Sequence, residues 1–231
     1  MQNDFYVDGI GSASFGARLL SNYEVGSTKI TRSRQKLPGV QGWIPLATDY
    51  ALQKIKLPVH IFAGSPRQAA EQKSRLDAAL LAEPVELILP NGMRYAASLD
   101  DAGTVSEVTG DGCQLACTYL LYGYAHDTLQ SICLPSGGGV LYAYGTAPQM
   151  ACRMYCTASA AALQYPMAGV LWNDVQAGDT LVLDGIERRV LRNSANAFDA
   201  TDMITWPKLA PGENQLYCPD PLTVEYYPIW L

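Results

Sequence analysis

The segment from Met203 to Leu231 reads MITWPKLAPGENQLYCPDPLTVEYYPIWL, a turn-rich approach followed by an apolar and aromatic run. Terminal segments that stay disordered are polar and poor in aromatics. Here Leu222, Val224, Tyr226, Pro228 and Trp230 fall on alternate positions, which places them on one face of an extended strand. A chain with this ending has to pack it, and a strand buried on one face needs a sheet to receive it. Just upstream, Trp206-Pro207-Lys208-Leu209 and Pro211-Gly212-Glu213-Asn214 set a turn before the strand, with Pro and Gly fixing the bend.

With 231 residues the chain can build two modest domains, each with its own core. Only 16% of residues are charged, against about 25% in an average soluble protein. Apolar or uncharged polar surface is therefore available for a partner. Fourteen Tyr and four Trp against four Phe favour rings with one polar tip, which suit half-wet interfaces. The net charge of -6 disfavours holding nucleic acid through its phosphates. The start MQNDFYVDG has neither a basic nor an apolar leader region, and no stretch approaches the ~18 apolar residues of a membrane span. The expectation is a chain made in the cytosol, soluble, with no membrane insertion.

Cys113 and Cys117, and Cys152 and Cys156, form two C-x-x-x-C pairs, with Cys133 and Cys218 elsewhere. Their surroundings read as strands, where four residues span about 13 Å, too far for two thiolates to share an ion at Zn–S distances of about 2.3 Å. Free thiols are the expectation, with no metal site and no disulfide framework.

The opening FYVDGIG and FGARLL read as short strands. After them Lys29, Arg32, Arg34 and Lys36 sit in a ribbon polar on both faces, which LPGVQGW, with Gly39, would close. Such a ribbon cannot be core; it is a solvated hairpin or an arm reaching onto a neighbouring subunit. Ile55, Leu57, Val59 and Ile61 give a period of two, a strand with one buried face, and Pro58 on its other face suggests an edge or a bulge. One helix is predicted over 65–81: Ser65 as N-cap, Pro66 at the first helical position, an apolar stripe of Ala69, Leu76 and Leu80, and pairs Glu71–Arg75 and Lys73–Asp77. Hairpins follow through Asn91-Gly92 and Gly110-Asp111-Gly112. Pro135 to Gly139 read as a flexible boundary, and beyond it short strands recur, with Asp184-Gly185 as a hairpin turn. The predicted fold is mainly β, with two β-sandwich-type domains: residues 1–135 carrying the helix, and residues 136–231 jelly-roll-like.

Catalytic chemistry finds little to use. His60 and His126 are the only histidines, and no Ser or Cys sits in a strained elbow. Asp100-Asp101 before Gly103 is ordinary turn chemistry, and the glycine run lacks the lysine and helix of a phosphate cradle. No catalytic residue and no cofactor is expected. Trp172, Trp206, Tyr144 and Tyr165 could stack on sugars if exposed, with core packing as the competing reading for each.

The pattern YVDGIGSASFGARLLSNYEVG, the polar arm ending in LPGVQGW, and the lone helix followed by hairpins resemble the N-terminal domain of siphophage distal tail proteins. GDTLVLDGIERRV, WPKLAPGEN and LTVEYYPIW resemble the galectin-like C-terminal domain of the same family. The resemblance implies a structural virion component at the tail tip, assembled in the bacterial host. It implies a homohexameric ring of N-terminal domains joining the tail tube protein to the tail-tip or baseplate hub protein, with DNA passing through the lumen. The C-terminal domain would project toward a receptor-binding protein or a host glycan; a carbohydrate-binding adhesion module is the alternative function.

Overall fold

The computed structural model describes residues 4–36, 41, 44–103 and 105–231. They divide into two compact units, Met1–His126 with Leu231, and Asp127–Trp230. The glycine run that suggested a boundary at 135/136 lies inside the second unit.

The first unit contains β1 (Tyr6–Val7), β2 (Ile10–Gly11), β3 (Ala17–Leu19), β4 (Glu24–Val25), β5 (Ile30–Gln35), β6 (Ile44–Tyr50), β7 (Gln53–Phe62), α1 (Pro66–Leu80), β8 (Val85–Ile88), β9 (Arg94–Asp101), β10 (Val105–Glu107) and β11 (Gln114–His126). Its sheet runs β2-β1-β8-β9-β11-β7-β3, with β10 on β11 and β4 on β7. The axis is β11, which pairs with β7 from Gln114↔Phe62 to Gly123↔Gln53 and with β9 from Leu120↔Asp101 to His126↔Arg94. Ile55, Leu57, Val59 and Ile61 bury one face of β7 as their period of two requires. Pro58 is in neither an edge strand nor a bulge. It faces Thr118 across the β11 ladder, and on the other side its carbonyl accepts from Leu20 at 2.9 Å. The register of β3 reaches Val59 and that of β4 begins at Lys56, so the missing N–H falls where one short strand gives way to the next.

Ser65 caps α1, its hydroxyl accepting from Gln68 N at 3.2 Å. Ala69, Leu76 and Leu80 are buried and face the sheet. Lys73 pairs with Asp77 at 2.6 Å as expected, whereas Glu71 turns to Arg67 at 2.9 Å instead of to Arg75. Asp77 does a second job: the buried Tyr119 hydroxyl of β11 donates to it at 2.8 Å. Burial, followed by that carboxylate, pushes the Tyr119 phenol up, so it remains a neutral donor that pins helix to sheet.

The second unit contains β12 (Gln130–Leu134), β13 (Gly139–Ala143), β14 (Met150–Thr157), β15 (Ala162–Met167), β16 (Val170–Val175), β17 (Thr180–Asp184), β18 (Arg189–Arg192), β19 (Ala195–Asn196), β20 (Lys208–Leu209), β21 (Gly212–Leu216) and β22 (Leu222–Tyr226). One sheet runs β12-β22-β14-β17-β18-β19 with β20 on β14, and the ribbons β13–β21 and β15–β16 complete the unit. Leu222, Val224 and Tyr226 are fully buried, and β22 is hydrogen-bonded on both sides, to β12 and β14. The predicted strand is interrupted after Tyr226 and resumes at Ile229–Trp230. Pro135 to Gly138 form a tight turn, Gly138 N donating to Pro135 O at 3.0 Å, not a flexible hinge. At Gly138 (φ +80°) an added Cβ would lie 2.1 Å from Leu216 O, whereas at Gly137 (φ +86°) it would meet nothing within 4 Å.

The Asp184-Gly185 turn is longer than a two-residue hairpin: Asp184 pairs with Arg189, leaving Ile186 in the turn instead of in β18. The cause is Asp184 itself, whose side chain is 1% exposed and whose Oδ1 accepts from Ile186 N and Glu187 N at 3.0 Å each. Its other oxygen takes Arg153 Nε at 2.9 Å and Arg189 at 3.4 Å. Arg153 lies directly between Asp184 on β17 and Glu225 on β22, its cross-strand neighbours. Burial opposes ionisation of Asp184, but the Glu187 N–H and the Arg153 guanidinium outweigh it and hold the carboxyl below its usual range.

Two outcomes test this account. Gly137→Ala pays only for a left-handed backbone, about 1 kcal/mol, while Gly138→Ala adds a backbone clash and loses about 2–4 kcal/mol in urea denaturation. Because Asp184 is depressed on folding, its contribution is complete above the unfolded carboxylate value of about 3.9 and is lost as pH falls through the lower folded value. Asp184→Asn is expected to cost about 2–3 kcal/mol at pH 7 and to flatten, without abolishing, the fall in stability below pH ~4. Asp111, Asp179 and Asp220, also depressed, contribute to the remainder.

Candidate functional site

The polar arm is a two-stranded sheet of its own. β5 pairs with β6 from Ile30↔Tyr50 to Gln35↔Ile44, with a register shift between Ser33 and Arg34. Every residue of β5 is exposed, and so are Lys29 and Lys36 at its ends. Arg32 and Arg34 lie on one strand face, with Lys36 continuing the row beyond it. Among the described residues no ion pair involves Lys29, Arg32, Arg34 or Lys36. Gly39, expected to close the arm, lies outside the described residues. Ile30 (48% exposed), Tyr50 (41%) and Leu52 (50%) add apolar area at the root of the ribbon. Two strands alone are marginally stable in water, and β5 buries none of its residues. The arrangement can offer cations, backbone edges and a small apolar root to a second surface.

The four aromatics considered for sugar stacking are not brought together in one platform. Trp172 is fully buried and Tyr165 is 3% exposed, so both belong to the core and neither offers a ring face. Trp206 is half-buried, 6.2 Å from the Phe198 ring, and Tyr144 is 65% exposed. The Arg192 guanidinium overlies Trp172 at 5.8 Å and donates to Asn173 O at 2.6 Å and Asp174 O at 3.3 Å. Beside it an open cleft of ≈ 760 Å³ is lined by Gln164, Asn173, Asp174 and Asp199. A second concavity, ≈ 650 Å³ in the first unit, holds Lys54, Lys56, Glu24 and Asp101, with Lys56 and Glu24 paired at 3.6 Å. His60 is half-buried on β7, its ring 6.0 Å from Phe62, which Arg18 overlies. Among the described residues no three His, Cys, Asp or Glu are grouped to hold a metal, and no helix is long and apolar enough to cross a membrane.

One cluster escaped the sequence reading. Tyr165 Oη donates to Asp220 Oδ2 at 2.8 Å and lies 3.7 Å from Cys156 Sγ and 3.5 Å from Cys218 Sγ. Ser159 N donates to the same carboxylate oxygen at 2.9 Å, and Met167 Sδ is 3.8 Å from Cys156 Sγ. The neighbouring Cys156 thiol lowers the Cys218 thiol, while Cys218 and burial raise Cys156. The members come from three separate segments, 156–159, 165–167 and 218–220, and the sequence drew notice to Cys156, Tyr165 and Cys218 singly without bringing them together.

Residues 143–230 match the family model described as siphovirus-type tail component, C-terminal domain. No curated protein sequence matches the chain. Among solved structures, the chain is similar to the Dit protein of phage SPP1, described as a paradigm of the hub adsorption apparatus in phages infecting Gram-positive hosts. The TM-score is 0.75 at 15% identity, covering 99% of each chain. It is also similar to a chain of the phage P2 baseplate in its activated conformation with calcium, with a TM-score of 0.56 at 9% identity over 97% of each chain. The strontium form of that baseplate gives 0.55 at 9% identity over the same share. The chain thus shares the fold of the SPP1 Dit protein over 99% of its length, and its residues 143–230 match the siphovirus-type tail component C-terminal domain.

Proposed function

We propose that this chain is a structural, non-enzymatic component of a siphophage or prophage tail tip, a distal tail protein that closes into a six-membered ring. In this reading the first units form the ring, the tail tube protein docks on one side and the tail-tip or baseplate hub protein on the other. DNA passes through the lumen in transit only. The second units extend toward receptor-binding proteins, and the ring is assembled in the bacterial host before it becomes part of the virion.

The observation that carries the reading is the β5–β6 ribbon, a two-stranded sheet whose cation-bearing strand β5 is exposed throughout, in a chain that shares its fold with a tail hub protein. A ring closes through heterologous contacts, in which one face of a subunit meets a different face of the next. A protruding arm supplies one such face, and the acidic balance of the chain, 22 Asp and Glu against 16 Lys and Arg, supplies complementary charge for it. The same balance keeps the protein from binding DNA through its phosphates. A sugar-binding role for residues 138–231 has less support, because Trp172 and Tyr165 are enclosed.

Light scattering after size exclusion tests the ring: a mass of six subunits, or a multiple, is expected, and a monomer at every concentration counts against it. Replacing Arg32, Arg34 and Lys36 together by Glu is expected to weaken assembly about tenfold or more while leaving the monomer's circular dichroism and urea midpoint unchanged. An unchanged oligomer mass in this variant would remove the arm from the interface.

A further inference from the structure

The buried sulfur cluster of the second unit is absorbed by nothing in the proposed ring. Cys156 lies near the C-terminal end of β14, its side chain inward with Met154 and Leu181 in the same core, and is 4% exposed. Cys218 is fully buried, but it sits in the irregular segment between β21 and β22, next to Tyr217, which is 54% exposed. Both thiols converge on the one Tyr165 oxygen, Cys156 Sγ at 3.7 Å and Cys218 Sγ at 3.5 Å, which brings the two sulfurs to the same spot in the core. The other cysteines are differently placed: Cys117 and Cys152 are buried elsewhere, Cys113 is half-buried and Cys133 is exposed.

We propose that Cys156 and Cys218 form a redox-active pair that a small-molecule disulfide converts to an intramolecular disulfide. Cys218 is the entry thiol. An opening of its short segment exposes it without parting the β14 ladders, whereas Cys156 lies within a strand, paired with Leu181 of β17. The Cys218 thiolate attacks one sulfur of the small disulfide, forming a mixed disulfide and expelling one small thiolate. Cys156 gives up its proton to solvent and attacks Cys218 Sγ, forming the protein S–S bond and expelling the second small thiolate. Two protein thiols are oxidised and one small disulfide is reduced to two thiols. The Cys218 thiol is the better starting nucleophile because its neighbour's hydrogen bond favours its ionised form.

The product ties the central strand β14 to the approach to β22 across about 60 intervening residues, a long loop of the kind whose closure most restricts the unfolded chain. The tie would join the two strands on whose mutual pairing the second sheet is built.

The full chain is incubated with oxidised glutathione, alkylated, and mapped by mass spectrometry without reduction. The expected result is a cross-linked peptide pair containing Cys156 and Cys218, an intact-mass loss of about 2 Da for that bond, and a thermal midpoint raised by about 4 °C or more until dithiothreitol reverses it. Exposed Cys133 is the internal clock. If it carries glutathione in full and Cys156 and Cys218 remain unlinked, or if either is linked to a different cysteine, the proposal is overturned. Cys156→Ser is expected to leave glutathione held on Cys218, with no second thiol to release it; should that variant not fold, the map of the unaltered chain decides alone.

Discussion

Backbone hydrogen bonding dominates this protein, because a chain with one α-helix among its described residues must satisfy its amides sideways, from strand to strand. Long strands solve the problem only if both of their edges are covered. In the first unit β11 has β7 along one edge and β9 and β10 along the other. In the second, β14 lies between β17 and β22, and β22 lies between β14 and β12. The sequence follows suit: these strands alternate strictly, with Met150, Cys152, Met154 and Cys156 turned in and Arg153 and Tyr155 turned out. Once these ladders are set, side chains on the two faces can only be core on one side and surface charge on the other.

Charge is placed where the ladders leave it. Arg153 cannot avoid Asp184 and Glu225, since both are its cross-strand partners, and Asp184 in turn fixes the turn after β17 through two backbone amides. Asp77 combines the same roles in the first unit, pairing along its helix with Lys73 and across to Tyr119 on the sheet. Each carboxylate serves local and distant structure at once, which is why its loss would be felt beyond a single contact.

The local elements were legible because they rest on local rules. The Ser65 cap, the Pro66 start, the period of two in β7 and the inward face of Leu222, Val224 and Tyr226 all follow from spacing alone. What could not be read depends on who stands opposite. Pro58 looked like an edge residue because the gap between β3 and β4 exists only in three dimensions. The glycines after Pro135 looked like a hinge, yet Gly138 is required by the close approach of Leu216, far along the chain. Trp172 and Tyr165 were open between surface and core for the same reason, and the Tyr165 cluster draws on residues separated by whole strands. For the candidate site, the arm was legible as a polar ribbon, while its standing as a separate sheet was not.

That ribbon is the exception to the rule the rest of the chain obeys. Everywhere else a two-stranded piece leans on something: β13–β21 contributes Leu141 and Ala143 to a core, and β15–β16 contributes Tyr165, Met167 and Trp172. The β5 strand contributes no buried residue. All six of its residues are exposed, where a hydrogen bond is worth little net, and Arg32 and Arg34 add like charge along it. Ordering such an element costs a single chain more than a shorter loop would. In the proposed ring a second surface would dehydrate the ribbon's backbone bonds, cover Ile30 and Tyr50 at its root, and set acidic groups against its cations. The ordering entropy would then be met once per interface instead of within each isolated chain.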